Sequence, residues 1–193
     1  LKKFVLFIFN YFKDKKNFFI FQNNFEKNFF IKKKICKNSQ TKIIEGSPIN
    51  KIYKNKNIEN KINIICVSRM LYDKGIVDFI YSAKEVLKHG YKFNFLLVGP
   101  IDEKNKSSIN KNYLLKINKT FKKIKWVGHK SNLKKIFNEA ILMCFPSYHE
   151  GSPRALIEAA SNGLPIICYD IPGCRTIVKN EYNNSLIIRT AGL

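Results

Sequence analysis

Two glutamates, Glu150 and Glu158, and two cations, Arg69 and Lys74, have the types and spacing needed to handle a phosphorylated ligand rich in hydroxyls. In Ser68-Arg69-Met70-Leu71-Tyr72-Asp73-Lys74-Gly75 a guanidinium and an ammonium stand just ahead of a helical pattern. Cations beside a helix N-terminus make a cradle for a diphosphate. Standing alone, this loop reads first as two solvated charges. In Pro146-Ser147-Tyr148-His149-Glu150-Gly151-Ser152-Pro153-Arg154, Glu150 falls in a loop and Glu158 in the second turn of the helix behind it. A carboxylate at each place accepts hydrogen bonds from sugar or ribose hydroxyls. The backbone N–H groups of Gly151 and Ser152 can face a phosphate or sugar oxygen, since glycine lets a ligand approach closely. Ser152 suits the N-cap and Pro153 the first helical position. Most helical glutamates are simply solvated, but Leu156, Ile157, Ala159 and Ala160 leave Glu158 little polar face to belong to. A third segment, Asp170-Ile171-Pro172-Gly173-Cys174-Arg175, is a turn signal and little more.

Each of these segments follows a short apolar run rich in β-branched residues. The predicted strands are Ile62–Val67, Phe93–Val98, Ile124–Val127, Ala140–Phe145, Pro165–Tyr169 and Leu186–Ile188. Between the first two, Ile76, Phe79, Ile80, Ala83, Val86 and Leu87 recur at helical spacing, and Gly90 stands where a helix C-terminal glycine belongs. Further helices are predicted at Ser108–Thr120, Leu133–Glu139 and Pro153–Ser161. Alternation of this kind specifies an α/β fold with a doubly wound, Rossmann-like parallel sheet. In such a sheet ligands bind beyond the carboxyl ends of the strands, where the candidate residues fall. The first 60 residues differ: a helix near Lys2–Tyr11, a strand Phe18–Phe21, a helix Phe25–Cys36 and a strand Lys42–Ile44, then a Lys/Asn-rich stretch with the composition of a linker. The domain reading is therefore 1–50 as the tail of a preceding α/β domain, 51–60 as linker and 61–193 as the ligand-binding domain.

Composition excludes several classes. Of 35 cations against 14 anions, 31 are Lys and only four are Arg, which is not the profile of a base-reading surface. Nucleic acid is accordingly not expected as a partner. The charge is divided almost evenly, +10 over residues 1–60 and +11 over 61–193, and reads as spread rather than clustered. A solvated face is one meaning of it, and an acidic partner such as a phosphate-bearing substrate or an anionic membrane is the other. The five cysteines form no C-x-x-C pair and sit mostly in apolar runs, so they read as buried thiols in a reducing compartment. No metal-ligand spacing links His89, His129 and His149, and D-x-D is absent, so no metal is expected. No apolar run approaches the roughly 20 residues of a spanning helix, and no signal-peptide pattern opens the chain.

Taken together, these segments resemble the family 4 glycosyltransferases, retaining enzymes of the two-domain GT-B fold. The resemblance covers about residues 60–188. It rests on V-S-R-M-L-Y-D-K-G at Val67–Gly75, L-V-G-P at Leu97–Pro100, W-V-G-H at Trp126–His129, P-S-Y-H-E-G-S-P-R-A-L-I-E-A at Pro146–Ala159 and D-I-P-G-C-R at Asp170–Arg175. The E-x7-E spacing of Glu150 and Glu158 marks the same family. The chain departs from its polysaccharide-assembling branch at Thr176, where a glutamate is usual.

The resemblance implies roles position by position. Arg69 and Lys74 hold the donor diphosphate in place of a metal; Glu150 lies near the transferred sugar; Glu158 binds the ribose hydroxyls. Gly151 and Ser152 meet the sugar or phosphate, and Gly99, Val127 and His129 flank the base. The implied protein is the C-terminal, donor-binding half of a GT-B fold, without its closing helices and preceded by the end of the N-terminal acceptor domain. It needs no cofactor and takes a nucleotide-sugar as co-substrate, UDP-linked by the same resemblance. The acceptor is a surface polysaccharide or a lipid-linked saccharide, and the place is the cytoplasm, peripheral on the inner face of the membrane. Lysines and phenylalanines near residues 1–16 serve either a membrane contact or a solvated helix. Two other readings stay open: a GT-B nucleotide-sugar epimerase, and a non-catalytic basic module that binds nucleotides or polyanions.

Overall fold

A computed structural model of the protein describes residues 2–11, 16–46, 62–178 and 186–188. The predicted linker, 51–60, and the end of the chain after Ile188 lie outside the described residues. The chain divides into two units, Leu1–Ser47 and Pro48–Leu193.

The first unit contains helix α1 (Lys2–Tyr11), strand β1 (Phe19–Phe21), helix α2 (Asn24–Lys32) and strand β2 (Thr41–Ile43). β1 and β2 pair in parallel. Phe30 meets Phe19 and Phe21 in an aromatic cluster whose Phe21–Phe30 pair is edge-on at 5.1 Å, a favoured ring geometry. The Asn23 side chain accepts the Glu26 N–H at 2.9 Å and starts α2, while Lys34, in left-handed backbone at φ 55°, stops it. α2 is thus shorter than the predicted Phe25–Cys36.

The second unit carries strands β3 (Asn63–Val67), β4 (Asn94–Val98), β5 (Ile124–Trp126), β6 (Ala140–Phe145), β7 (Ile166–Tyr169) and β8 (Leu186–Ile188). They form a six-stranded sheet in the order β5-β4-β3-β6-β7-β8, every pair parallel. From β3 the chain moves outward to β4 and β5, then returns to the other side of β3 for β6. The β3/β6 boundary is therefore the topological switch point, where doubly wound sheets open a crevice for ligands.

Alternate residues of each strand serve opposite layers. Cys66, Phe95 and Leu97 pack with Ile76, Phe79, Ile80 and Ala83 of α3 (Ile76–Lys88) and with Leu114 and Ile117 of α4 (Lys111–Thr120). Ile65, Val67, Val98, Met143 and Phe145 pack with Phe137 of α5 (Leu133–Glu139) and with Leu156 and Ala159 of α6 (Arg154–Ser161). Each large side chain so buried stabilises by roughly 1.5–3 kcal/mol relative to exposure. Gly90, at φ 86°, follows the end of α3 as its position in the sequence predicts, and its N–H bonds to the Leu87 carbonyl.

Two element boundaries differ from the sequence expectation for local reasons. α4 begins at Lys111 rather than Ser108, because the Asn110 side chain caps it and Ile109 pairs with Met70 in the neighbouring loop. α6 begins at Arg154: the Pro153 carbonyl accepts the first helical N–H, so Pro153, not Ser152, is the N-cap. The segment Pro172–Arg175, read as a turn, is a short helix, α7.

Candidate functional site

The loop after β3 is a 3-10 turn, Tyr72–Lys74, closed by Gly75 in left-handed backbone at φ 66°. A Cβ on Gly75 would stand 1.9 Å from the Pro146 carbonyl oxygen, so only glycine lets this loop lie against the end of β6. That contact brings the two sides of the switch point together. Lys74 Nζ donates to Glu150 Oε1 at 2.8 Å and to the His149 carbonyl at 3.2 Å. Ser147, fully buried, donates its hydroxyl to the same carboxylate oxygen at 3.0 Å. The Lys74 and Glu150 side chains are only 13% and 17% exposed, which keeps water from screening the pair as it would on an open surface.

Arg69, half exposed, makes an ion pair with Asp102 at 2.6 Å, linking the loops after β3 and β4. Both cations expected in a diphosphate cradle thus already hold carboxylates. A phosphate arriving here competes with Asp102 and Glu150 rather than meeting bare charge. Glu158 lies in the second turn of α6 as its spacing predicts, and it accepts from Arg154 Nε at 2.8 Å. Its side chain is 24% exposed, intermediate between a core and a solvated residue. Gly151 and Ser152 sit half-buried at the bend before α6. The Ser152 hydroxyl is buried without a hydrogen-bond partner among the described residues.

Gly99 stands at the end of β4 with φ 146°, and a Cβ there would lie 1.8 Å from the Ser68 carbonyl oxygen. Its N–H bonds to the Gly128 carbonyl and its carbonyl accepts Trp126 Nε1, both at 2.9 Å. With both backbone groups engaged, Gly99 contributes space rather than a hydrogen bond. Val127 is half-buried after β5, its N–H bonded to the Leu97 carbonyl, and His129 is exposed. Lys74 and Glu150 are in direct contact; Arg69, Gly99, Val127 and His129 stand at neighbouring strand ends of the same edge.

Sequence reasoning missed a carboxylate that organises these loops. Asp78, in the first turn of α3, accepts the Tyr148 hydroxyl at 2.6 Å and the Tyr169 hydroxyl at 2.7 Å through one oxygen, while the two rings stack at 5.7 Å. Asp78 thereby ties the helix behind Lys74 to the loop that carries Glu150 and to the end of β7. The bond to Asp78, with some burial, pushes the Tyr148 phenol up to about 12. Burial, then the bond to Asp78, raises Tyr169 as well. Gly173 of α7 backs the same loop, since a Cβ there would lie 2.4 Å from the Glu150 carbonyl oxygen. Ser147 lies inside the Pro146–Ala159 motif but was given no role there, while Asp102 and Asp78 sit in no motif; the only signal for Asp78 was a charge inside an apolar helical pattern.

All five cysteines are free thiols, four of them buried. Burial pushes Cys144 up to about 12 and Cys66 upward too. They serve packing, in keeping with their place in apolar strands.

Residues 49–191 match the family model described as glycosyl transferases group 1. Over 140 residues the chain is 30% identical to the N,N'-diacetylbacillosaminyl-diphospho-undecaprenol alpha-1,3-N-acetylgalactosaminyltransferase of Campylobacter jejuni, covering 72% of this chain and 35% of that protein. It is 29% identical to the UDP-Gal:alpha-D-GlcNAc-diphosphoundecaprenol alpha-1,3-galactosyltransferase of Escherichia coli, covering 66% and 33%. The chain thus spans about a third of the length of these curated relatives. Among solved structures it is similar to Anabaena HepE in complex with UDP-glucose, with a TM-score of 0.76 at 17% identity over 99% of this chain and 55% of that one. The sucrose-phosphate synthase of Thermosynechococcus elongatus superposes with a TM-score of 0.78 at 19% identity, over 98% and 49%. At such identities the structural likeness speaks for the GT-B architecture alone. The family match covers most of the chain and includes every loop described above, so this protein belongs to the glycosyl transferases group 1.

Proposed function

We propose that this chain is the donor-binding half of a retaining, metal-independent glycosyltransferase. It takes a sugar from a nucleotide diphosphate donor, a UDP-sugar, and delivers it to a lipid-linked or surface-polysaccharide acceptor. The observation that carries this reading is the half-buried contact of Lys74 with Glu150 across the β3/β6 switch point. It supports the reading because it sets the lysine proposed for the departing diphosphate against the carboxylate proposed for the sugar. When the glycosidic bond breaks, negative charge develops on a phosphate oxygen, and a fixed donor in a partly dried cleft is worth roughly 2.7–4 kcal/mol to such a charge. Lys74 and Arg69 supply that stabilisation from the chain itself, which is the basis for proposing that no metal takes part. Glu158, at the rim of α6, would receive the ribose hydroxyls after letting go of Arg154.

Retention of configuration follows from the family 4 resemblance. The undecaprenol-linked acceptors in the names of the C. jejuni and E. coli relatives support a lipid-linked acceptor, and with it a peripheral contact at an anionic membrane. Residues 1–50 are proposed as the end of the acceptor-binding domain and 61–193 as the donor domain, an assignment supported by the division near Ser47.

Calorimetric titration of UDP into the 193-residue chain at moderate salt tests the donor site. Saturable binding unaffected by EDTA and weakened by Lys74→Met, by Arg69→Ala and by Glu158→Ala is expected. A folded chain that binds no UDP, or binds it only with divalent metal, would refute the reading.

A further inference from the structure

The balanced charge counts of the two halves conceal a concentration that the fold brings to one place. Between positions 104 and 135 there are eleven lysines and no Asp, Glu or Arg. The rest of residues 61–193 carries ten cations and ten anions, so the whole +11 of residues 61–193 comes from this one segment. Four of the ten anions outside the segment are engaged near the candidate site: Asp102 with Arg69, Glu150 with Lys74, Glu158 with Arg154 and Asp170 with Arg175.

The topology sets α4 and the turn into β5, with Lys111, Lys116, Lys119, Lys122 and Lys123, at one edge of the sheet. β5 is the edge strand, α4 and α5 precede and follow it on opposite layers, and Lys122 and Lys123 form the turn into it. Lys116, Lys119, Lys122 and Lys123 are exposed and form no ion pair among the described residues. Lys125 is used internally, its Nζ bonded to the Asn118 carbonyl at 2.6 Å, and Asn118 also brackets the Trp126 backbone. The edge strand is thus closed by α4 and does not invite another strand. On α4, Leu115 is 39% exposed, one turn from both Lys111 and Lys119.

We infer that this lysine-rich edge, formed by α4 and the turn into β5, is a docking surface for an anionic lipid bilayer. Several positive charges within one Debye length, about 8–10 Å, repel one another until an anionic surface neutralises them. Lysine without arginine suits a diffuse layer of headgroups better than base edges or bidentate phosphate recognition. An exposed leucine between lysines on a short helix adds apolar contact at the interface. The inference deepens the reading of a lipid-linked acceptor and in that respect rests on it, but it names a surface apart from the donor cleft.

Co-sedimentation of the full 193-residue chain tests it, with vesicles of phosphatidylcholine alone or with about a third phosphatidylglycerol, the fraction chosen to set a strong surface potential. Lys116→Gln/Lys119→Gln/Lys122→Gln/Lys123→Gln is compared with Lys32→Gln/Lys34→Gln/Lys37→Gln/Lys42→Gln, which removes the same charge from the first unit. Binding only to anionic vesicles is expected, weakened by salt and on the order of a hundredfold by the first set, and largely kept in the second. Equal loss in both sets would mean net charge alone and would overturn the proposal. So would binding to duplex DNA or heparin without binding to vesicles. UDP titration of the first set separates the two readings. Unchanged UDP affinity with lost vesicle binding supports the docking surface. Vesicle binding lost only in the first set, in a chain that binds no UDP, supports the surface while refuting the donor site.

Discussion

Asp78→Ala should free helix α3, the loop after β6 and the end of β7 from one another while touching no proposed ligand contact. Its carboxylate oxygen accepts two phenolic hydroxyls, at 2.6 and 2.7 Å. Hydrogen bonds to a charged group are worth about 1.5–3 kcal/mol each. All three residues are half-buried, so water can replace part of what is lost. The lower end of the range applies, giving about 2–3 kcal/mol for Asp78→Ala and about 1 kcal/mol for Asp78→Asn, which keeps an acceptor but not the charge. The sign of the pH dependence follows from Tyr148, whose phenol the fold raises to about 12, above the ~10 of an unfolded tyrosine. Its contribution is complete below about pH 10 and is lost as the pH rises through the folded value. Urea unfolding at neutral pH reads the stability change, and the absorbance of tyrosinate between pH 9 and 12 reads the phenols directly. Asp78→Ala should bring the latest-titrating tyrosines back toward the others and flatten the loss of stability at high pH. Stability within about 0.5 kcal/mol of the parent, or an unchanged phenol titration, would refute the clamp.

Lys74→Met should weaken UDP roughly 10–100-fold by calorimetry, the equivalent of one charged hydrogen bond; an unchanged affinity would remove Lys74 from the site. Asp102→Asn should tighten UDP by a few-fold at low salt, because it frees Arg69 from an exposed pair worth about 1 kcal/mol or less; weaker binding would mean that Asp102 positions Arg69 rather than competing for it. Gly75→Ala combines left-handed backbone with a Cβ 1.9 Å from the Pro146 carbonyl oxygen, and should cost at least about 2 kcal/mol in urea unfolding. A neutral outcome would show that the β3 and β6 loops are not held in contact through this glycine.

The sequence by itself determined the alternation of elements, because strand and helix periods are local properties. Ala140–Phe145, Leu133–Glu139 and Lys2–Tyr11 fall where their apolar patterns predict. It also singled out Lys74 and Glu150, since loop position and residue type suffice to suggest phosphate and hydroxyl chemistry. Caps and pairings shift boundaries by one to four residues, because they depend on a side chain or a neighbouring loop: Asn110 for α4, Pro153 for α6, Lys34 for α2. Only the tertiary structure decided which charges meet. That Arg69 is held by Asp102 and Lys74 by Glu150, that Asp78 joins a tyrosine of the loop after β6 to one at the end of β7, and that the lysines of α4 and the turn after it stand at the β5 edge all follow from strand order. Strand order is set by long-range packing of layers, which has no signature in any single segment of the chain.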